Sequence, residues 1–218
     1  MSMSMSMSID HSLFFDSIPE LLQPYFRGGR PLWELLDGIG EIIEDIAARN
    51  PGVFTEIRKG VFAGKGTSIA PNAVIMGPAL LGSGCEIRTG AFLRENVIAG
   101  NNCVIGNSTE VKNAILFNNI EACHFNYIGD SIVGNFTHLG AGVILSNVRL
   151  DKQPITVKIG NEKHSTNRIK FGAIIGDHVE IGSNSVINPG ALLEKNVLVY
   201  PLVNTGGHHS AGACIKRR

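Results

Sequence analysis

The stretch IAPNAVIMGPALLGSGCEIRTGAFLRENVIAGNNCVIGNSTEVKNAILFNNIEAC, residues 69–123, decides the fold. Every sixth residue is aliphatic or of core type: Ile69, Ile75, Leu81, Ile87, Leu93, Ala99, Ile105, Val111, Phe117 and Cys123. Four residues after each comes mostly a small or aliphatic side chain: Ala73, Ala79, Cys85, Ala91, Val97, Cys103, Thr109 and Ile115. An exposed strand repeats every two residues and a helix every 3.6, so neither yields this period. The frame is expected to slip by one at each of two steps after Cys123 and to resume at Val133, Leu139 and Leu145. A second run follows at Ile175, Ile181, Ile187, Leu193 and Val199, with Val179, Ser185, Ala191, Val197 and Val203 at the fourth positions.

The period of six predicts an all-β chain, a single-stranded left-handed parallel β-helix. Each hexad forms one flat face, and three hexads close a triangular coil of about 18 residues. The aliphatic residue points into the prism, a small residue follows at the corner, and each coil pairs with the next so that the stack buries one core. Composition agrees. Glycine numbers 26 of 218 residues and charged residues are 17%, against usual levels of about 7% and 25%. Glycine and the eighteen asparagines suit corners, where they tolerate turn dihedrals. The glycines do not recur every third residue, which excludes collagen, and the apolar content excludes a disordered polyampholyte.

Nineteen basic and nineteen acidic residues cancel, so the basic excess of a nucleic-acid binder is missing. No apolar run reaches the roughly 18 residues a membrane span needs. The four cysteines form no CxxC pair and no secretory pattern opens the chain, so a reducing, cytoplasmic location is expected. Residues 1–16, beginning MSMSMSMS, are expected to be disordered.

Residues 17–52 read as a helical arm. Ser17-Ile18-Pro19-Glu20 has the form of a capping box with proline in the first turn. Leu32, Leu35, Leu36, Ile39, Ile42, Ile43 and Ile46 form an amphipathic stripe. Gly28-Gly29 divides the arm, Gly38 and Gly40 invite a break, and Asn50-Pro51-Gly52 ends it. The β-helix is expected over 53–207 and a tail over 208–218. Residues 147–170 break the hexad rule and carry Arg149, Asp151, Lys152, Lys158, Lys163, His164, Arg168 and Lys170, which predicts an excursion loop projecting toward a neighbouring subunit.

Arg94 and Lys112 each follow an inward residue and stand 18 residues apart, so they stack one rung apart, about 4.8 Å by strand spacing. Two such cations repel unless an anion joins them, and phosphate is a natural ligand; the alternative is a pair of solvated surface charges. His124 is expected on an adjacent face, near Tyr127, where a neutral imidazole can take a proton from an amine or hydroxyl, although a lone histidine is more often structural. No HxxxxH or HExxH spacing occurs, and no metal site is expected.

The segment KNAILFNNIEACHFNYIGDSIVGNFTHLGAGVILSN, residues 112–147, resembles the acetyltransferase domain of the bifunctional N-acetylglucosamine-1-phosphate uridyltransferase/glucosamine-1-phosphate N-acetyltransferase family. The resemblance rests on His124-Phe125-Asn126-Tyr127-Ile128-Gly129-Asp130, then Gly140-Ala141-Gly142, then Asn147. KFGAIIGDHVEIGSNSVINPGA resembles the later coils of the archaeal-type members, so the likeness runs from about residue 55 to the C-terminus. It implies acetyl-CoA as co-substrate and a hexosamine 1-phosphate, foremost glucosamine 1-phosphate, as acceptor. His124 matches the general base, Arg94 and Lys112 the phosphate-holding pair, and Tyr127 a residue contacting phosphate or sugar. Asn147 matches an asparagine near the amino sugar, the Ala141 N–H an oxyanion donor, and Ser183 a serine beside the coenzyme A arm. His138 stands where the family has an asparagine, and Lys152 lies one residue from the place of a family lysine; both are taken as substrate-binding. These departures bear on the acceptor more than on the reaction. The nucleotide-binding glycine-rich loop is missing, so uridyl transfer is not expected. A homotrimer is implied, with a separate nucleotidyltransferase as a candidate partner. The competing readings are an acyltransferase for another small acceptor, a non-catalytic β-helix subunit regulating a nucleotidyltransferase, and a zinc-dependent hydratase.

Overall fold

A computed structural model describes residues 10–160 and 162–217; the MSMSMSMS start lies outside the described residues, while residues 10–16, expected to be disordered, are ordered, with a 3-10 turn at His11–Leu13 and with Phe14 and Phe15 buried in apolar contacts. The chain is a left-handed parallel β-helix with an N-terminal helical arm. Strands of two to four residues stack into three parallel faces. Face A runs from Val61–Gly64 to His208–His209, with the strand Phe54–Arg58 added antiparallel at its start. Face B runs from Ser68–Ile69 to Cys214–Ile215, and face C from Val74–Ile75 to Asn204–Thr205. Regular coils therefore continue through the segment expected to be a tail: His208 and His209 pair with Leu192 and Leu193, and Cys214 with Leu198.

The inward residues form one continuous core: Ile75, Leu81, Ile87, Leu93, Ala99, Ile105, Val111, Leu116, Ala122, Ile128, Val133, Leu139 and Leu145, resuming at Ile175. This corrects the expected frame at two positions. The first slip falls between Val111 and Leu116, ahead of Cys123, whereas the second falls between Ile128 and Val133, after Cys123 as expected. Both occur at the corner between faces C and A, where Asn113 (φ 47°) and Asp130 (φ 48°) turn the chain in one residue fewer. Leu116 and Ala122 take the inward places. Cys123 is left half-exposed on the surface. Phe117 turns outward into a second core, where its ring lies 4.7 Å from Phe15 and 5.5 Å from Phe26.

That second core explains why face A reads as apolar tripeptides (Ala79-Leu80-Leu81, Val97-Ile98-Ala99, Ala114-Ile115-Leu116). A sheet covered on both sides does not alternate. Leu80, Ile98, Ile115, Ile132, Ile174 and Leu192 line up in register on its outer side under Leu35, Leu36, Ile39, Ile43 and Ile46 of the arm. The arm is less α-helical than its stripe predicts. It comprises 3-10 segments Glu20–Phe26 and Leu32–Asp37 followed by α1, Ile39–Arg49, with the break at Gly38. The Ser17 capping box does not form: Pro19 holds the cap position without a side-chain bond, and Pro24 inside the first segment removes a backbone donor. The Ser17 carbonyl instead accepts from Asn135 Nδ2 at 2.9 Å, tying the arm to the prism.

The 147–170 excursion contains a hairpin, Thr156–Ile159 with Glu162–Ser165. Ile155 and Val157 are fully buried in the second core, and Arg168 pairs with Asp37 of the arm. The excursion thus folds back on its own subunit. Among the described residues, no helix is long and apolar enough to cross a membrane.

Candidate functional site

The arm covers face A, so faces B and C carry the exposed polar chemistry. On face C, Leu93 pairs with Val111 and Val111 with Ile128, which puts Arg94, Lys112 and Gly129 in one outward column. The column beside it holds Glu110 and Tyr127. Arg94 reaches Glu110 at 3.3 Å and Lys112 reaches Asp130 at 3.6 Å. Each of the two stacked cations thus pairs with a carboxylate of the chain itself, and their repulsion is relieved without an external anion.

Asp130 is the hub of this corner. It is 3% exposed and accepts from Asn113 Nδ2 at 2.9 Å and from Asn147 Nδ2, besides pairing with Lys112. A carboxylate so deeply placed is stable because each oxygen has a donor. The shortened corners bring it there: Asn113 and Asp130 both occupy the left-handed region at the C/A corner, one coil apart. Over Gly129 the Tyr127 hydroxyl and the Asn147 amide converge. A Cβ on Gly129 would lie 2.6 Å from Tyr127 Oη and 2.7 Å from Asn147 Nδ2. The missing side chain leaves a notch with Gly129 as its floor and a phenol and an amide as its walls. Partial burial and the nearby Glu110 carboxylate push the Tyr127 phenol above its ordinary value, so it stays a hydrogen-bond donor at neutral pH.

The second cluster lies on the face B edge. His124, Ala141 and Ser183 each stand two residues beyond an inward residue (Ala122, Leu139, Ile181) of successive coils. Backbone bonds from Gly142 N to His124 O (3.0 Å) and from Asn184 N to Ala141 O (2.8 Å) hold them in one column. The Ala141 N–H meets no protein acceptor among the described residues. His124 is exposed, and its backbone N–H donates to Asn126 Oδ1. The corner Phe125-Asn126 separates His124 from Tyr127, so the two clusters meet at the B/C corner.

Arg94, Lys112, Tyr127 and Asn147 are therefore gathered on face C, and His124, Ala141 and Ser183 on the adjoining edge. His138 stands apart from both. It lies near the A/B corner with Nδ1 2.9 Å from Glu121 Oε2, in a cleft of about 370 Å³ shared with Glu180. Lys152 is exposed in the excursion, its N–H bonded to Arg149 O, and it touches neither cluster. Sequence reasoning missed Glu110, Asn113 and Asp130. The signal for Asp130 was available as a lone acid ending the HFNYIGD segment between two aliphatic positions.

Comparison with known proteins places these clusters in context. The GMPPB C-terminal domain family matches residues 75–162. The bifunctional protein GlmU of Methanococcus aeolicus is 38% identical over 171 residues, covering 77% of this chain and 41% of that protein. An uncharacterized acetyltransferase, YaiX, of Escherichia coli O6:K15:H31 is 37% identical over 143 residues, covering 66% of this chain and 62% of that protein. Among solved structures, a mutant of AntD, an N-acyltransferase from Bacillus cereus in complex with dTDP and coenzyme A, aligns with a TM-score of 0.40 at 17% identity, covering 74% of this chain and 84% of that one. The chain spans about two-fifths of the length of the GlmU relative.

Proposed function

We propose that this chain, which is similar to the GlmU and acetyltransferase relatives over its β-helix, transfers an acetyl group from acetyl-CoA to the amine of a hexosamine phosphate, foremost glucosamine 1-phosphate. One observation carries the reading: a hydroxyl-lined notch flanked by the stacked Arg94 and Lys112 meets, at one corner, a histidine edge whose Ala141 backbone N–H has no acceptor among the described residues, on faces that the arm leaves open.

Arg94 and Lys112 bind the acceptor phosphate, exchanging part of their pairing with Glu110 and Asp130 for charge-assisted bonds to its oxygens. Tyr127 and Asn147 orient the sugar beside them. His124 takes a proton from the amine as its nitrogen attacks the thioester carbonyl. The C–N bond forms, the C–S bond breaks, and the sulfur leaves as the coenzyme A thiol. The Ala141 N–H faces the developing oxyanion, and Ser183, one rung further, contacts the coenzyme A arm. The small Ala141-Gly142 turn leaves room for that arm along the edge. His138 contributes only if a neighbouring copy in a homotrimer brings a second face B to the site.

The test is release of coenzyme A thiol from acetyl-CoA with a panel of amino-sugar phosphates. The wild type should turn over at least one of them, and His124→Ala should lower kcat about 100-fold or more with little change in acceptor KM. No thiol release with any amino-sugar phosphate overturns the reading.

A further inference from the structure

We infer that Phe125 is an acceptor-binding residue, its ring forming the platform on which the apolar face of the sugar rests; this builds on the amino-sugar reading above. Phe125 is a phenylalanine at φ 54°, in the left-handed region, and 59% exposed. Both properties cost stability: a bulky side chain in that conformation is strained, and an exposed ring keeps its apolar surface in water. At the same corner position, neighbouring coils carry Ser108 (φ 53°), Gly142 (φ 75°) and Asn184 (φ 55°), residues suited to this backbone.

The backbone around Phe125 is held on every side. Its N–H donates to Asn107 O at 2.8 Å. The next residue, Asn126, is 2% exposed, accepts from the His124 N–H at 3.2 Å, and donates through Nδ2 to Gly140 O at 2.7 Å. The corner is fixed by its neighbours, and the ring is held out from it. Phe136 shares the same conformation, but its ring stacks on His178 with centroids 5.0 Å apart and planes 3° apart. No such aromatic partner covers Phe125 among the described residues.

Its place says what covers it. An acceptor whose phosphate sits at Arg94 and Lys112 on face C and whose amine reaches His124 on face B must cross the corner between them, and Phe125 projects from that corner. The C–H-rich face of a pyranose is the part of such a molecule that gains from an aromatic surface, whereas its hydroxyls and phosphate find the polar groups of the notch.

The experiment is titration calorimetry of glucosamine 1-phosphate against the full chain with coenzyme A present, alongside thermal melting. Phe125→Asn should weaken sugar-phosphate binding about tenfold while the melting temperature holds or rises, because asparagine accepts the backbone. Phe125→Tyr should restore binding. Leu202→Asn is the control: Leu202 has φ 61° and 59% exposure at the same corner beyond Ser183, so it should gain the same backbone relief with sugar binding unchanged. Unaltered binding in Phe125→Asn overturns the inference alone, as does a fall in melting temperature, which would mark a structural role. Failure of the wild type to bind any amino-sugar phosphate overturns the functional reading with it.

Discussion

Gly129→Ala separates the site from the scaffold. Gly129 sits in the strand Tyr127–Gly129, outside the left-handed region, so alanine fits its backbone and gains up to about 1 kcal/mol from the less flexible unfolded chain. The new methyl would lie 2.6 Å from Tyr127 Oη and 2.7 Å from Asn147 Nδ2, about 0.8 Å inside ordinary contact. Both obstructing atoms are side-chain ends, so the side chains move and the coil does not. Stability should change by less than about 1 kcal/mol. Displacements of this size at a reacting site cost up to about 100-fold, so kcat/KM for the acceptor should fall between about 10- and 100-fold, mostly through KM. Steady-state thiol release across acceptor concentrations, with urea unfolding of the same preparation, reads both quantities. Gly106→Ala supplies the contrast, because its Cβ would fall 1.7 Å from the Cys123 carbonyl oxygen. That obstacle is backbone, so the variant should lose stability outright. An unfolded Gly129→Ala, or one with unaltered acceptor kinetics, would refute the assignment of Tyr127 and Asn147 to a common notch.

Asp130→Asn keeps the shape of the hub but turns one acceptor toward donor partners and removes the charge facing Lys112; urea unfolding should show a loss of about 3 kcal/mol, and a stable variant would sink the hub reading. Phe117→Ala empties a fully buried site between arm and prism and should cost about 3–5 kcal/mol by the same measurement. The Tyr127 phenol is raised in the folded chain, so its protonated form is bound more tightly by the native state. This contribution is complete below the unfolded value near 10 and is lost as pH rises toward the raised one, so wild-type stability above pH 10 should fall more steeply than that of Tyr127→Phe.

The prism was legible because its signal is repeated: a side chain that must fill the same hole in coil after coil recurs at a fixed interval. The arm's burial was equally legible, since its stripe matches the outward aliphatics of face A. The slips were not. A corner one residue shorter leaves aliphatic neighbours on both candidate frames, and Leu116 or Phe117 could each be taken as inward. Only the volume of the prism and the pull of Phe15 and Phe26 decide between them. The site was legible in part. Equal spacing stacked Arg94 on Lys112, but the carboxylates beside them come from the opposite column and from the shortened corner. Asp130 gains its partners only when Lys112 and Asn113 from the coil before it and Asn147 from the coil after it meet at the C/A corner. His138, a position read from resemblance, lies near a different corner of the same chain, paired with Glu121.

Solenoids ordinarily unfold from their ends, because each coil is stabilised only by the coils above and below it. Here the N-terminal segment ties together coils far apart in the stack: α1 packs on the strands carrying Leu80 and Ile98, while the Ser17 and Phe14 carbonyls accept from Asn135 Nδ2 and the Asp177 N–H in later coils. It therefore acts as a splint, converting a chain of nearest-neighbour couplings into one cooperative unit. Amide hydrogens of the terminal and central coils should then exchange by a shared global opening, and loosening the arm would let the ends fray first.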